Sequence, residues 1–320
     1  MRLLAAGALL LTVCSGVATS ATTCDRACLE GFVTQYLDAM IARNPYSLPL
    51  AQHLKFTENE QAIPFGEGLW ATATALGTYK LYVSDVGSGE AGFLGTVREN
   101  GNPVAFALRL RISQRQIAEA DTIVVRDPGA AQAIEALGQP DPLYSTALAK
   151  PERRPRNEMI SVVNKYAEGI LQSKGSLVPF DSQCNRIQNG VQTTNNPKLL
   201  LDPKDTWTPI SLGCDPQLDT KFFSFVRGVR PRNFLVDEDR GLVLGWLLFD
   251  IPGTVPSVDI PGHGSFAIPL PYQAPTTLDI AELYKIKNGK ILKIEALQTN
   301  VPYKTGPPSR GSAAHETDAG

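Results

Sequence analysis

Ala107-Leu108-Arg109-Leu110-Arg111-Ile112 and, 174 residues further on, Ala281-Glu282-Leu283-Tyr284-Lys285-Ile286 read as one strand written twice. Each run continues through a turn into a second apolar stretch, reaching Ile117 and Ile123 in the first case and Ile291 and Leu297 in the second. Upstream, Lys55-Phe56-Thr57-Glu58-Asn59 and Asn185-Arg186-Ile187-Gln188-Asn189 each follow a short amphipathic helix. Here the spacing is 130: Tyr36 recurs as Tyr166 and Asn59 as Asn189. The second copy is therefore longer by 44 residues (174 − 130) between its two ends. A helix-first unit that closes in a hydrophobic hairpin is present twice.

Working outward, Leu29, Phe32, Val33, Tyr36, Leu37, Met40 and Ile41 recur at i, i+3, i+4, i+7 spacing and predict a helix over 25–43, stopped by Asn44-Pro45. A loop rich in Pro, Gly and Thr is expected over 57–78. Strands are expected near 79–84, 91–98, 104–112 and 116–125, with Asn100-Gly101 as a hairpin turn. The polar, Pro-rich stretch 127–157 reads as a linker with one helical turn near 130–137. The second unit begins with a helix over 158–172. Its strands are expected at 222–230, 233–237, 241–250, 278–286 and 290–299, with insertions near 195–220 and 251–277. The fold class is α+β: unit 1 over 22–126, unit 2 over 158–306, and a polar tail, 307–320, expected to be disordered.

Arg2 followed by the apolar Leu3–Val13 and the small residues through Ala21 predicts a secretory signal peptide over 1–21, too short to span a bilayer. Cys14 leaves with it. The remaining Cys24, Cys28, Cys184 and Cys214 allow three pairings, and proximity within each half favours Cys24–Cys28 and Cys184–Cys214. Their spacing is not a standard zinc pattern, so no metal is expected. A net charge of −2, with Arg153-Arg154-Pro155-Arg156 as the densest basic cluster, disfavours a nucleic-acid partner. The chain carries no dinucleotide fingerprint, phosphate loop, nucleophile elbow or His-x-x-x-His, and no cofactor is expected.

A helix laid into the concave face of a bent antiparallel sheet resembles the NTF2-like superfamily, which includes ketosteroid isomerase and SnoaL-like polyketide cyclases. The resemblance rests on Tyr36 and Tyr166 in the first helix of each unit and on the closing strands 104–125 and 278–299. Cys24-Asp25-Arg26-Ala27-Cys28-Leu29, Phe56-Thr57-Glu58-Asn59, Gly66-Glu67-Gly68-Leu69-Trp70, Cys184-Asn185-Arg186 and Val236-Asp237-Glu238-Asp239-Arg240-Gly241 are similar to a family of secreted fungal and bacterial proteins of unknown function. The resemblance implies two cone-shaped units paired through their sheets, a pseudo-dimer within one monomeric chain.

Face assignment supplies the best chemical clue. Val104, Phe106, Leu108, Leu110 and Ile112 share one face, and its counterpart is Leu278, Ile280, Glu282, Tyr284 and Ile286. A carboxyl thus stands where the first copy has Leu108, and an apolar site would raise its pKa toward that of a general acid or base. The alternative is a structural ion pair. Tyr166 is a candidate donor to a developing enolate, as the resemblance implies, or simply core. Asp250 is a second candidate carboxylate or a turn residue, on the face of Leu244, Trp246 and Leu248. Candidate substrate contacts are Arg186, which suits a carboxylate or anhydride oxygen, with Arg232, Asn189, Trp246 and His263. Three functions compete. The first is a cofactor-independent isomerase, cyclase or lyase on a small hydrophobic oxygenated molecule, in secondary-metabolite biosynthesis such as maleic-anhydride cyclisation. The second is a secreted binding protein without catalysis. The third is a carbohydrate-active enzyme using Trp70, Trp207 and Trp246 as stacking platforms.

Overall fold

The computed structural model describes residues 24–306, so the expected signal peptide and the tail lie outside the described residues. Unit 1 opens with α1 (Arg26–Ile41), capped by the Asp25 carboxylate, which accepts from the Cys28 N–H at 2.9 Å. It continues through β1 (Leu50–Glu58), β2 (Gln61–Ala62), the single-turn α2 (Leu69–Thr72), β3 (Ala73–Asp85), β4 (Glu90–Glu99), β5 (Asn102–Ser113) and β6 (Gln116–Val125). Between the units lie α3 (Pro128–Ala136) and α4 (Pro142–Ser145). Unit 2 runs α5 (Arg156–Gln172), β7 (Phe180–Gln188), β8 (Val191–Gln192), α6 (Cys214–Asp219), β9 (Gly228–Asp237) and β10 (Leu242–Ile251). The hairpin β11 (Ser257–Ile260) and β12 (Gly264–Ala267) follows, then β13 (Thr276–Lys287) and β14 (Lys290–Val301).

The architecture is α+β, with two six-stranded sheets of matching order: β2-β1-β6-β5-β4-β3 and β8-β7-β14-β13-β10-β9. The register matches too. Phe56 pairs with Ala120 and Arg186 with Ile294, preserving the offsets of 130 and 174. Asn100-Gly101 and Asn288-Gly289 both take positive φ at each residue, as a tight two-residue hairpin turn requires.

Several expectations need correction. The sheets are mixed, because β1 runs parallel to β6 and β7 parallel to β14. Neither β1 nor β7 stands out in the sequence, since most of their side chains are polar and half-buried or exposed. The expected loop over 57–78 instead contains the end of β1, β2, α2 and the start of β3. The two strands expected at 222–230 and 233–237 are one, β9. Pro231 lies at a register slip opposite Trp246/Leu247, which breaks the alternation there, and Phe222–Val226 form turns. The linker is partly structural, because Ala130 and Ile134 of α3 and Tyr144 of α4 are buried in a shared core.

Three hydrophobic clusters organise the chain. One lies between α1 and the first sheet, around Phe32, Tyr36, Phe56 and Phe106. A second lies between α5 and the second sheet, around Val163, Ile170, Ile280 and Ile294. The third draws Leu81, Leu94 and Ala107 from the first sheet and Leu244, Trp246 and Leu283 from the second, so the sheets pack on one another through these faces. Ion pairs cross between the units at Arg26–Asp237, Arg156–Asp85 and Arg232–Glu60.

Both disulfides form as the spacing suggested, Cys24–Cys28 and Cys184–Cys214. The second spans 30 residues and ties β7 to α6. In the chain-entropy account a loop of that length stabilises by about 3–4 kcal/mol. The C184S/C214S variant should lose that amount in urea unfolding. Unchanged stability, or free thiols at both positions in the secreted protein, would contradict this.

Asp279 is fully buried on the intersheet side of β13, and neither carboxyl oxygen has a hydrogen-bond partner among the described residues. Burial, reinforced by Glu60, pushes its pKa well above the usual aspartate range. A carboxyl raised in this way is at its least unfavourable below its unfolded pKa of about 3.9 and weakens the fold as pH rises toward the folded value. Asp279→Asn should therefore raise the urea midpoint near neutral pH, with the gain shrinking toward about pH 4. A gain equal at both pH values would refute the account.

Candidate functional site

Glu282 lies inside the second unit with no exposed surface, and strand alternation puts it on the face of Ile280, Tyr284 and Ile286 against α5. Its partners come from three elements. Arg186 on β7 donates through Nε to Oε1 at 3.0 Å, Tyr284 donates to Oε2 at 2.6 Å, and Tyr166 on α5 donates to Oε1 at a longer 3.5 Å. Burial, then the neighbouring Glu282, drive the pKa of Tyr166 and of Tyr284 upward, so both phenols stay protonated. Burial alone would lower the Arg186 guanidinium. The paired Glu282 carboxylate offsets that, and Arg186 stays charged.

Arg186 is also the link to empty space. Beside it lies a cavity of about 230 Å³, lined by Tyr166 and Arg186 together with Phe222, Phe225, Phe249 and Tyr272. The insertions form much of its wall: Leu201, Ile210 and Gln217 come from the first, Pro269, Pro271 and Tyr272 from the second. Arg186 Nη1 donates to Gln188 Oε1 at 2.5 Å and to Thr193 Oγ1 at 3.3 Å. Nη2 donates to no protein acceptor among the described residues, whereas Glu282 does not line the cavity.

The first unit shows what changed. At matching register positions it carries Phe56, Phe93 and Leu108, where the second carries Arg186, Gly245 and Glu282. A large aromatic has become glycine, and two apolar side chains have become an ion pair. In the first unit the interior is occupied by Trp70, whose indole N–H donates to Tyr36 Oη at 2.7 Å, with Phe65 and Phe56 packed beside it. Glu58 there is held by Arg126 and the Leu69 N–H, each at 2.8 Å. One unit is filled by its own side chains; the other is hollow beside a buried charge.

Of the residues singled out in the sequence, the structure brings Glu282, Tyr166 and Arg186 together. Asp250 and Trp246 do not join them, because strand alternation puts their side chains on the intersheet side of β10. Trp246 is core there. Asp250 pairs with Arg230 through two 2.9 Å bonds and accepts from Thr277. Burial would raise its pKa, but those donors outweigh it and hold it low. Arg232 is committed to Glu60 across the unit boundary. Asn189 is a turn residue at φ 47°, bridging the Gln298 backbone by bonds of 3.0 and 2.9 Å, as Asn59 bridges Val124. His263, exposed in the β11–β12 turn, stacks on Trp207 at 3.7 Å and ties the two insertions together. With Trp70 and Trp246 buried, the tryptophans offer no shared sugar platform. Sequence reasoning missed Gln188, Thr193 and Gln217. The first two lie within the polar stretch beside Cys184; Gln217 carries no signal beyond lying three residues after Cys214.

Residues 152–298, covering most of the hollow unit, match the family described as a domain of unknown function, DUF8021. No curated protein is similar in sequence. Among solved structures, a de novo designed protein with a curved β-sheet is 15% identical, with 46% of this chain and 88% of that chain covered and a TM-score of 0.26. The epoxide hydrolase/cyclase-like enzyme SalBIII, of pyran-ring formation in the polyether salinomycin, is 9% identical over 45% and 92%, with a TM-score of 0.27. PrhC from Penicillium brasilianum NBRC 6234 is 11% identical over 45% and 82%, with a TM-score of 0.26. Likenesses this slight decide neither fold family nor chemistry.

The ion pair makes its own prediction. Removing one partner of a buried pair strands the other, typically for about 3–5 kcal/mol, whereas replacing both by apolar groups is much closer to neutral. Glu282→Gln should therefore lower stability by an amount of that order, and R186M/E282L should recover most of it in urea unfolding. Wild-type stability for Glu282→Gln would sink this account.

Proposed function

We propose that the second unit binds a small, largely apolar molecule through a carbonyl oxygen set against Arg186, and acts on it as a cofactor-independent acid/base enzyme of the isomerase, cyclase or lyase type. The observation that carries the reading is the buried guanidinium on the wall of a largely apolar cavity, with Nη2 donating to no protein acceptor among the described residues. A charged donor in a water-poor site acts most strongly on an oxygen that gains negative charge, as in an enolate or an opening anhydride. Tyr166, held protonated beside it, becomes a second donor only by turning its single hydrogen away from Glu282, from which it lies 3.5 Å. Glu282 in this reading is a positioning residue, fixing the guanidinium rather than touching substrate.

The surroundings fit a secreted protein. The two disulfides suit an oxidising compartment, and no helix among the described residues is long and apolar enough to cross a membrane. Matching strand orders and the shared third core support a further part of the proposal: two NTF2-like units, 22–126 and 158–306, paired through their sheets in a monomeric chain.

One observation favours binding without catalysis: both Glu282 oxygens are taken by protein donors, and no carboxylate among the described residues lines the cavity. Two measurements separate the readings. Calorimetry with indanone and its hydrocarbon parent, indane, should show the ketone bound about tenfold or more tightly, a margin that R186M/E282L abolishes while still folding. Equal affinity for ketone and hydrocarbon would remove the proposal. Comparing extracellular metabolites of strains with and without the gene then tests turnover; an unchanged metabolite profile would leave binding as the function.

A further inference from the structure

The cavity has a second pole. Gln217, on α6, is 3% exposed and lines the cavity wall. Its amide nitrogen donates to the carbonyl oxygens of Thr193 at 2.7 Å and Pro209 at 3.1 Å. Two carbonyl partners fix the orientation of the amide, because only its nitrogen can donate to both. The opposite atom, Oε1, accepts no hydrogen bond among the described residues. The phenylalanines that follow, Phe222, Phe223 and Phe225, offer no side-chain donor to it. Among the described residues Oε1 is not one of the sealed-off atoms that lack a partner, so on a residue that lines the cavity it is within reach of an occupant carrying a donor.

The two poles are built as one unit. Thr193 accepts from Arg186 Nη1 through its hydroxyl and from Gln217 through its backbone oxygen. The Cys184–Cys214 disulfide joins the same two elements, two residues before Arg186 and three before Gln217. Donor and acceptor are thereby tied to one residue, Thr193, on the wall of a cavity that is also lined by the stacked rings of Phe225 and Tyr272, 5.1 Å apart and 9° from parallel. At about 230 Å³ the space exceeds the ~150 Å³ that admits benzene, and takes a one- or two-ring molecule.

We infer that Gln217 determines specificity, accepting a hydroxyl or N–H from a ligand whose carbonyl oxygen faces Arg186, so the ligand class is a compact, ring-containing hydroxy-carbonyl compound. The inference rests on the proposed role of Arg186 and adds the second contact.

The test is calorimetry on the intact, oxidised protein with indanone, its isomeric ring-hydroxylated forms and their methyl ethers. At least one hydroxy isomer should bind about tenfold or more tightly than indanone, with its methyl ether losing that gain. In Q217M the gain should fall below about twofold, with indanone affinity changed by less than about threefold. A purely structural Gln217 would instead lower affinity for every compound alike, and that pattern overturns the inference. Should Q217M not fold, the wild-type series decides: no hydroxy isomer exceeding indanone overturns it. If indanone binds over indane but hydroxylation adds nothing, only the Gln217 role fails; if indanone itself binds no better than indane, the Arg186 reading fails and this one with it.

Discussion

A guanidinium cannot be taken out of water into an apolar interior without a counter-charge, because the desolvation is unfavourable by several kcal/mol. In the second unit that constraint is met by Glu282, and the rest of the interior follows from it. One carboxylate oxygen takes Arg186 Nε, and the other takes the Tyr284 hydroxyl. Gln188 and Thr193 occupy Nη1. What is left of the guanidinium faces the cavity. No single residue of the set stands on its own: without Glu282 the charge is stranded, and without Arg186 two tyrosines and a carboxylate crowd an apolar space.

The comparison between units shows how such a site can be tolerated. The first unit buries Phe56, Phe93 and Leu108 where the second has Arg186, Gly245 and Glu282. Its interior is close-packed, with Trp70 hydrogen-bonded to Tyr36 and tilted against Phe65. Sheet-on-sheet packing then couples that filled unit to the hollow one through Leu81, Leu94, Trp246 and Leu283. A cavity subtracts from stability, and a neighbour whose interior is occupied by its own side chains can offset it, although that neighbour has a buried charge of its own, Arg109 paired with Glu90 and Asp121. The insertions finish the arrangement by walling the hollow unit, tied to each other by the Trp207–His263 stack and to β7 by Cys184–Cys214.

Much of this was legible in the sequence because the decisive strand is buried on both faces. Period-two alternation over 104–112 and its copy at 278–286 assigned Glu282 to the inner face, and the offsets of 130 and 174 survive as matching strand register. β1 and β7 were not legible, since they are mostly polar and their parallel partners lie far along the chain. Asp250 was assigned its correct strand face, but that face packs between the sheets rather than into the cavity. Arg232 found Glu60 in the other unit, a contact no local pattern encodes. Gln217 sits in an insertion with no periodicity, so nothing marked it until the fold brought α6 beside β7.

The charge balance also narrows what the site can hold. Arg186 is already neutralised by Glu282, so a carboxylate entering the cavity would leave one net negative charge in a low-dielectric space, against the preference of every apolar wall residue around it. A neutral carbonyl brings no such penalty. It can accept from the guanidinium, which Glu282 already orients. The carboxylate that Arg186 suggested from sequence is therefore displaced as the preferred ligand group by the very residue, Glu282, that makes the guanidinium's burial possible.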